Sequence, residues 1–164
     1  MKKLTGVGSR DCPKNILDLI VKIAREKAKD GWILRSGAAD GCDAAFEKGF
    51  DLEGGTKEIY LPWKNFNKNP SPLYKFSKEL TEKSYKIASK IHPAWDKCSD
   101  AAKKLHGRNI FQVLGKTLDD PSDLLICYTL DGKDVGGTRT AIVLARQYNI
   151  KIVNLGSESY LIDD

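Results

Sequence analysis

Ser36-Gly37-Ala38-Ala39-Asp40-Gly41-Cys42-Asp43 lies between a predicted strand and a predicted helix, and it decides the fold together with two similar stretches. These are Thr5-Gly6-Val7-Gly8-Ser9-Arg10 and Val135-Gly136-Gly137-Thr138-Arg139-Thr140. In chain order they are the first loop (5–10), the second loop (36–43) and the third loop (135–140). Glycine lets backbone N–H groups approach an anion, and a following helix N-terminus adds oriented donors. Three such loops in one small chain predict a site for a phosphate-bearing ligand.

The apolar pattern around these loops alternates between the strand period and the helix period. Predicted strands cover residues 3–7, 32–36, 57–61, 123–128 and 151–155. Predicted helices cover residues 13–29, about 40–53, 73–91, 96–105, 109–118 and 140–148. This alternation predicts a Rossmann-like α/β fold: an open, mainly parallel sheet with helices on both faces. Ligands of such sheets bind beyond the carboxyl ends of the strands, where all three loops fall.

The length of 164 residues fits one domain spanning 1–164, whose tail 156–164 is either an edge strand or mobile chain. Hydrophobic residues make up 41% and charged residues 30% of the chain. No run of about 18 apolar residues exists, and residues 1–6 have no apolar signal core, so we predict a cytoplasmic protein. The net charge of +5 suits an anionic ligand. The lysine-rich segment 64–104 is either a solvated helical face or a track for a phosphate backbone.

The first loop does not carry a known nucleotide-binding fingerprint. The pattern GxGxxG would need a third glycine where the chain has Asp11, and no GxxxxGK[ST] segment occurs. Gly8, Ser9 and Arg10 still offer amide, hydroxyl and guanidinium donors to a phosphate or a ribose. For Arg10 the alternative is a salt bridge to Asp40 or Asp43 that holds the first and second loops together.

The second loop is built from small residues that let the backbone turn tightly beside a ligand. Ser36, Gly37 and Ala38 are therefore predicted to shape a sugar site. Asp43 is predicted either to accept hydrogen bonds from a ribose or to cap the following helix.

The third loop is predicted to bind a second phosphate. Gly136 and Gly137 present consecutive N–H groups, Thr138 adds a hydroxyl, and Arg139 is a natural charge partner. Arg108 is a further candidate to reach a phosphate, and the neighbouring Asn109 is predicted to cap a helix.

The cysteines and histidines show no metal-binding spacing. Cys12, Cys42, Cys98 and Cys127 form no CxxC pair, and we expect them to be reduced thiols. Cys12 and Cys42 both follow strand ends, so they are able to approach each other. We predict no metal and no resident cofactor, and we interpret His92 and His106 as surface or packing residues.

The three loops together resemble the SLOG superfamily, which includes the DNA-processing protein A family and the lonely-guy nucleotide hydrolases. The first loop resembles the family's G-S-R segment, the second its SG-A-x-G-x-D motif and the third its GG-T segment. The resemblance covers most of the chain, including Arg108-Asn109 and the strand 123–128. It implies a small stand-alone Rossmann-like domain, often dimeric or larger, that binds nucleotides, nucleotide-derived signals or single-stranded DNA.

The third loop departs from the PGGxGTxxE motif of the lonely-guy hydrolases, whose glutamate assists cleavage of an N-glycosidic bond. No proline precedes Gly136, and Ala141 stands where the glutamate would be. Cleavage would need another carboxylate, and Asp43, Asp131 and Asp134 are the candidates. The leading hypothesis is binding of a nucleotide or a nucleotide-derived signalling molecule by a homo-oligomer, most simply a dimer. The alternatives are a nucleotide N-glycosidic hydrolase or transferase with Asp43 as the catalytic acid, and a single-stranded DNA binding protein.

Overall fold

The computed structural model describes residues 1–157 and contains a five-stranded sheet in which every neighbouring pair is parallel. The strands are β1 (Lys3–Gly8), β2 (Ile33–Ser36), β3 (Lys57–Ile59), β4 (Leu124–Tyr128) and β5 (Lys151–Asn154). Their order across the sheet is β3-β2-β1-β4-β5. The structure confirms the predicted Rossmann-like α/β fold. Residues 158–164 of the tail lie outside the described residues, so the prediction for them is not tested.

Five α-helices within the described residues cover both faces of this sheet. They are α1 (Lys14–Lys29), α2 (Cys42–Leu52), α3 (Lys78–Ile91), α4 (Asp100–Leu114) and α5 (Arg139–Gln147). Strand β4 shows why two layers form, because successive side chains of a strand point to opposite faces. Leu125 and Cys127 pack into an apolar cluster with α3, α4 and α5, whereas Ile126 and Tyr128 pack into a cluster with α1 and α2.

The prediction of two helices over 96–105 and 109–118 is wrong, because one helix, α4, replaces them. Ser99 caps it, with its Oγ accepting a hydrogen bond from the amide of Ala102 at 3.1 Å. Gly107 lies inside this helix, and α3 packs so closely there that a Cβ would lie 2.7 Å from the Tyr85 ring, which explains why the position is glycine. Asn109 lies inside the helix, so the prediction that it caps a helix is also wrong.

The strand order places a crevice at the middle of the sheet. From β1 the chain moves outward to β2 and β3, and it then returns to the other side of β1 to form β4 and β5. Connections that leave neighbouring strands in opposite directions open a crevice at the carboxyl ends of those strands. The first loop includes residues 5–8 of β1 and the two residues after it, the second joins β2 to α2, and the third leads into α5. No helix in the part of the chain that the structure describes has the length and apolar character needed to cross a membrane.

Candidate functional site

A cavity of about 560 Å³ lies at this edge of the sheet and takes residues from all three loops and from α4. The structure thus brings together most of the residues that the sequence singled out. The predicted site residues that line the cavity are Gly8, Ser9, Arg10, Asp43, Arg108, Gly136, Gly137 and Thr138.

Four other predicted site residues are not among those lining the cavity; they make contacts within the protein. Ser36 Oγ donates to the carbonyl of Gly6 at 2.6 Å, and the Gly37 carbonyl accepts from Arg108 at 2.5 Å. The Ala38 carbonyl accepts from Asn67 at 2.9 Å. The guanidinium of Arg139 donates to the carbonyl of Ile91, at the end of α3. Direct contact of these four with a ligand stays a prediction.

Asp43 is a buried acid that links the first and second loops. Its Oδ2 accepts a hydrogen bond from the amide of Ala39 at 3.4 Å, and the amides of Gly8 and Gly37 also stabilise the carboxylate. Burial raises the pKa of Asp43 to about 6, against the opposing effect of the Arg108 charge and these amides. Gly41 takes the N-cap position of α2, so Asp43 does not cap this helix. Asp43 therefore changes its charge within the physiological range of pH.

Arg108 provides a buried positive charge in the wall of the cavity. Its Nη1 donates to the carbonyls of Gly37 and Tyr60, and its Nε donates to Asn109 Oδ1 at 2.9 Å. Burial lowers the pKa of Arg108 to about 10, which the nearby Asp43 charge opposes, so the side chain remains charged at neutral pH. Within residues 1–157, Arg108 has no ion-pair partner, and its Nη2 forms no hydrogen bond. The guanidinium therefore retains donor capacity for a ligand.

Arg10 adds a second cation at the mouth of the cavity. Its side chain is exposed. It forms no ion pair with Asp40 or Asp43 in the described part of the chain, so the salt-bridge alternative is wrong. Arg10 is close enough to Arg108 to lower its pKa, which means that two positive charges share this region. Such an arrangement favours an anion between or beside them.

Asn109 and Gln112 complete the polar wall, although the sequence prediction did not place either in the site. Asn109 Nδ2 donates to the carbonyl of Gly137 at 3.1 Å, so this residue joins Arg108 to the third loop. With its amide oxygen turned toward Gly37, Gln112 accepts from the Gly37 amide at 3.2 Å. The sequence signal for these residues is the presence of three polar side chains, at 108, 109 and 112, within the buried half of α4. This signal was hidden because the sequence predicted two helices where the structure has one.

His106 and Ala141 also line the cavity. Burial lowers the pKa of the His106 ring, and the charges of His92 and Arg108 lower it further, so the imidazole is neutral near pH 7. Ala141 occupies the position at which the lonely-guy motif has its glutamate. That position faces the cavity here, but it carries no carboxylate.

Comparison with solved structures gives matches in fold at low sequence identity. The molybdenum cofactor carrier protein of Chlamydomonas reinhardtii is 21% identical, with a TM-score of 0.59 over 97% of this chain and 79% of that chain. DNA processing protein A of Helicobacter pylori is 17% identical, with a TM-score of 0.57 over 93% of this chain and 64% of that chain. At this level of identity the matches show a shared Rossmann-like α/β fold. No protein-family model matches it, and no curated protein matches its sequence.

Proposed function

We propose that this SLOG-type domain binds a nucleotide or a nucleotide-derived signalling molecule in the cavity between the three loops. One observation carries the proposal: the glycine-bearing loops line the same cavity as Arg108, a buried cation with no ion-pair partner in the described part of the chain. A buried charge is costly unless something compensates for it. The Asp43 carboxylate offsets part of this charge without forming an ion pair with Arg108, and a ligand phosphate would provide further compensation.

The donors around the cavity match a ligand with more than one anionic or polar group. On the first-loop side Ser9 and Arg10 are available, and Gly8 marks the end of β1. On the opposite side Gly136, Gly137 and Thr138 precede the N-terminus of α5, whose free amides favour an anion. The first group is proposed to hold a phosphate or ribose, and the second group a further phosphate. A volume of about 560 Å³ lies within the usual range for a small-molecule site.

The two structural neighbours support ligand binding only in a general way. One is named as a carrier of the molybdenum cofactor, and the other is described by its mode of binding single-stranded DNA. Because one fold serves different ligands, these names do not choose among them. The choice of a nucleotide rests on the loops and on the two arginines.

A second candidate function is cleavage of an N-glycosidic bond in the same cavity, and Asp43 favours it. A carboxyl group that lines a cavity and has a pKa raised to about 6 has the properties of a general acid–base. The other two candidate carboxylates do not line the cavity, and Asp134 pairs with Arg146. Because Ala141 supplies no acid, catalysis would depend on Asp43 among these candidates, and Asp11 is the other carboxylate among the residues that line the cavity.

Thermal unfolding with a panel of nucleotides tests the binding proposal. A true ligand at about 100 times its dissociation constant should raise the unfolding free energy by roughly 2.7 kcal/mol. Arg10→Gln should reduce the shift, whereas Lys22→Gln removes an exposed positive charge on α1 and should leave it unchanged. If no nucleotide shifts the transition, or if both variants respond alike, this proposal is wrong.

Two further measurements separate the alternatives. Chromatography after prolonged incubation should show intact nucleotide if the domain only binds, and free base if it is a glycosidase. In the second case Asp43→Asn should stop release of the base while nucleotide still binds. Binding of single-stranded DNA that weakens steeply with salt, in the absence of a nucleotide shift, would favour the DNA-binding alternative instead.

We also propose that residues 1–164 form a single cytoplasmic domain that assembles as a homodimer. Helix α3 has exposed residues along one side, and we propose that a second copy covers this surface. The mass of one chain is 18.2 kDa, and light scattering coupled to gel filtration should give twice this mass. A monomer at micromolar concentration would contradict the assembly.

A further inference from the structure

Three side chains that commonly bind metal ions meet where α3 turns toward α4. One donor atom from each of His92, Cys98 and His106 lies within 4.8 Å of the others, and all three side chains are half-buried. His92 follows the last residue of α3, Cys98 follows the 3₁₀ helix Trp95–Lys97, and His106 lies in α4. The sequence had predicted no metal and no role for either histidine beyond packing or surface exposure.

One distance in this cluster, between Cys98 and His92, is close to that of a tetrahedral metal centre, and the three donor atoms all lie within 4.8 Å of one another. Cys98 Sγ lies 3.8 Å from Nε2 and 3.9 Å from Nδ1 of His92, and the two imidazole rings are 4.6 Å apart between centroids. Zinc bonds of about 2.3 Å to sulfur and 2.05 Å to nitrogen, at a tetrahedral angle, place those two atoms about 3.6 Å apart. Movements of a few tenths of an ångström therefore bring the sulfur and a His92 nitrogen to the distances of a bound ion.

The buried Thr140 contacts one ring nitrogen of His106 from outside the cluster. Its Oγ1 lies 3.2 Å from His106 Nδ1, on the first turn of α5. A hydrogen bond at Nδ1 fixes the orientation of the ring and leaves Nε2 to bind an ion. His106 is thus oriented for ligation by a residue outside the cluster.

The backbone of Ala94 forms hydrogen bonds with the side chains of both His92 and Cys98. Its amide donates to His92 Nδ1 at 3.1 Å, and Cys98 Sγ donates to its carbonyl at 3.6 Å. Both nitrogens of His92 are nearly equidistant from the sulfur, so the distances do not choose between them. If Nδ1 binds the ion, the ion replaces the Ala94 amide as its partner. On binding, the S–H bond of Cys98 breaks, its proton passes to solvent, and the thiolate bonds to the ion.

We propose that His92, Cys98 and His106 form a three-ligand site for Zn²⁺. Two imidazoles and one thiolate suit a borderline to soft ion and do not suit Mg²⁺ or Ca²⁺, which prefer oxygen ligands. Three protein ligands leave a fourth position for water or another molecule. Because His106 also lines the cavity between the loops, the ion lies beside the proposed nucleotide pocket.

Titration of the full, reduced chain with Co²⁺ in the absence of nucleotide tests this site. Tetrahedral Co²⁺ bound to a thiolate gives a charge-transfer absorption in the near ultraviolet and d–d bands in the visible. The signal should saturate at one equivalent, and Zn²⁺ should abolish it by displacement. Zinc at about 100 times its dissociation constant should also raise the melting temperature by roughly 5–10 °C.

Matched variants identify the ligands. Cys98→Ser should remove the charge-transfer absorption, and His92→Ala and His106→Ala should each weaken Co²⁺ binding at least tenfold. Thr140→Val should weaken it about tenfold through the orientation of His106. Cys12→Ser, the same change at another half-buried cysteine, should leave the titration unchanged.

Circular dichroism establishes that each variant is folded, so a lost signal reports lost ligation. The proposal is overturned by the absence of a charge-transfer band at tenfold excess of Co²⁺, or by a band that survives Cys98→Ser. Since no nucleotide is present, these results are independent of the proposed nucleotide binding.

Discussion

The two sides of the cavity are built differently. The first and second loops are packed against each other: a Cβ on Gly8 would lie 2.6 Å from Cys42 Sγ, and the amide of Cys42 donates to the Ser9 carbonyl at 3.3 Å. In the third loop, a Cβ on Gly136 or Gly137 would meet no atom of the described residues within 4 Å. Packing therefore explains glycine on the first side only. At Gly137 neither packing nor a positive φ requires glycine, and the proposed binding of a phosphate there would account for it.

Gly8→Ala should have the largest effect on stability and would break the packed side. The new methyl group would lie 2.7 Å from Cys42 Cβ and 2.9 Å from the Tyr128 carbonyl oxygen, and neither atom can move without the backbone. We expect the unfolding free energy to fall by about 3 kcal/mol or more, measured by urea denaturation. A loss below about 1 kcal/mol would mean that the two loops are not packed in this way.

The charge of Asp43, on the packed side of the cavity, should make the stability of the protein depend on pH. The folded chain holds the Asp43 proton more tightly than the unfolded chain, because burial raises the pKa from 3.8 to about 6. The resulting stabilisation is fully present below the unfolded pKa of 3.8 and is lost as the pH rises through about 6. Between pH 4 and 7, the wild type should lose about 2 kcal/mol of unfolding free energy relative to Asp43→Asn.

Urea denaturation at a series of pH values measures this difference. Asp18→Asn, which changes an exposed acid on α1, is the matched control and should follow the wild type. A constant difference between the wild type and Asp43→Asn across this range would show that Asp43 is not the buried acid of the packed side.

Gly136→Ala should have an intermediate effect, caused by the backbone alone. Gly136 has a φ of 65°, a conformation that costs an L-residue about 1–2 kcal/mol, although space for a methyl group is available. We expect a loss of about 1 kcal/mol in thermal or urea unfolding. A loss as large as that of Gly8→Ala would contradict the open structure of the third loop.

Gly137→Ala should have the smallest effect on stability and a clear effect on binding. Since the methyl group meets nothing, the unfolding free energy should change by less than about 0.5 kcal/mol. The nucleotide identified by the thermal panel should bind at least tenfold more weakly by calorimetry, because the methyl group keeps its phosphate from the amides. Unchanged affinity would remove the third loop from the phosphate site.

The apolar periods predicted most of the fold, because each strand and helix of a layered α/β domain buries a face of its own. The strands at 3–7 and 123–128 were predicted to within a residue, whereas residues 5–8 of the predicted first loop belong to β1. Helix α4 was missed, because Gly107 in isolation indicates a break. Only the tertiary structure shows why glycine stands there, because Tyr85 of α3 occupies the space that a Cβ would take.

The sequence by itself determined the kind of chemistry available. It contains three glycine-bearing loops, with arginines and an acid beside them. The tertiary structure alone decided which of these groups meet. Arg108, Asn109 and Gln112 enter the site because α4 packs across the ends of the strands, and His92, Cys98 and His106 meet because α3 turns back beside α4. Local periodicity records which face of a segment is buried, but it carries no information about the partner that buries it.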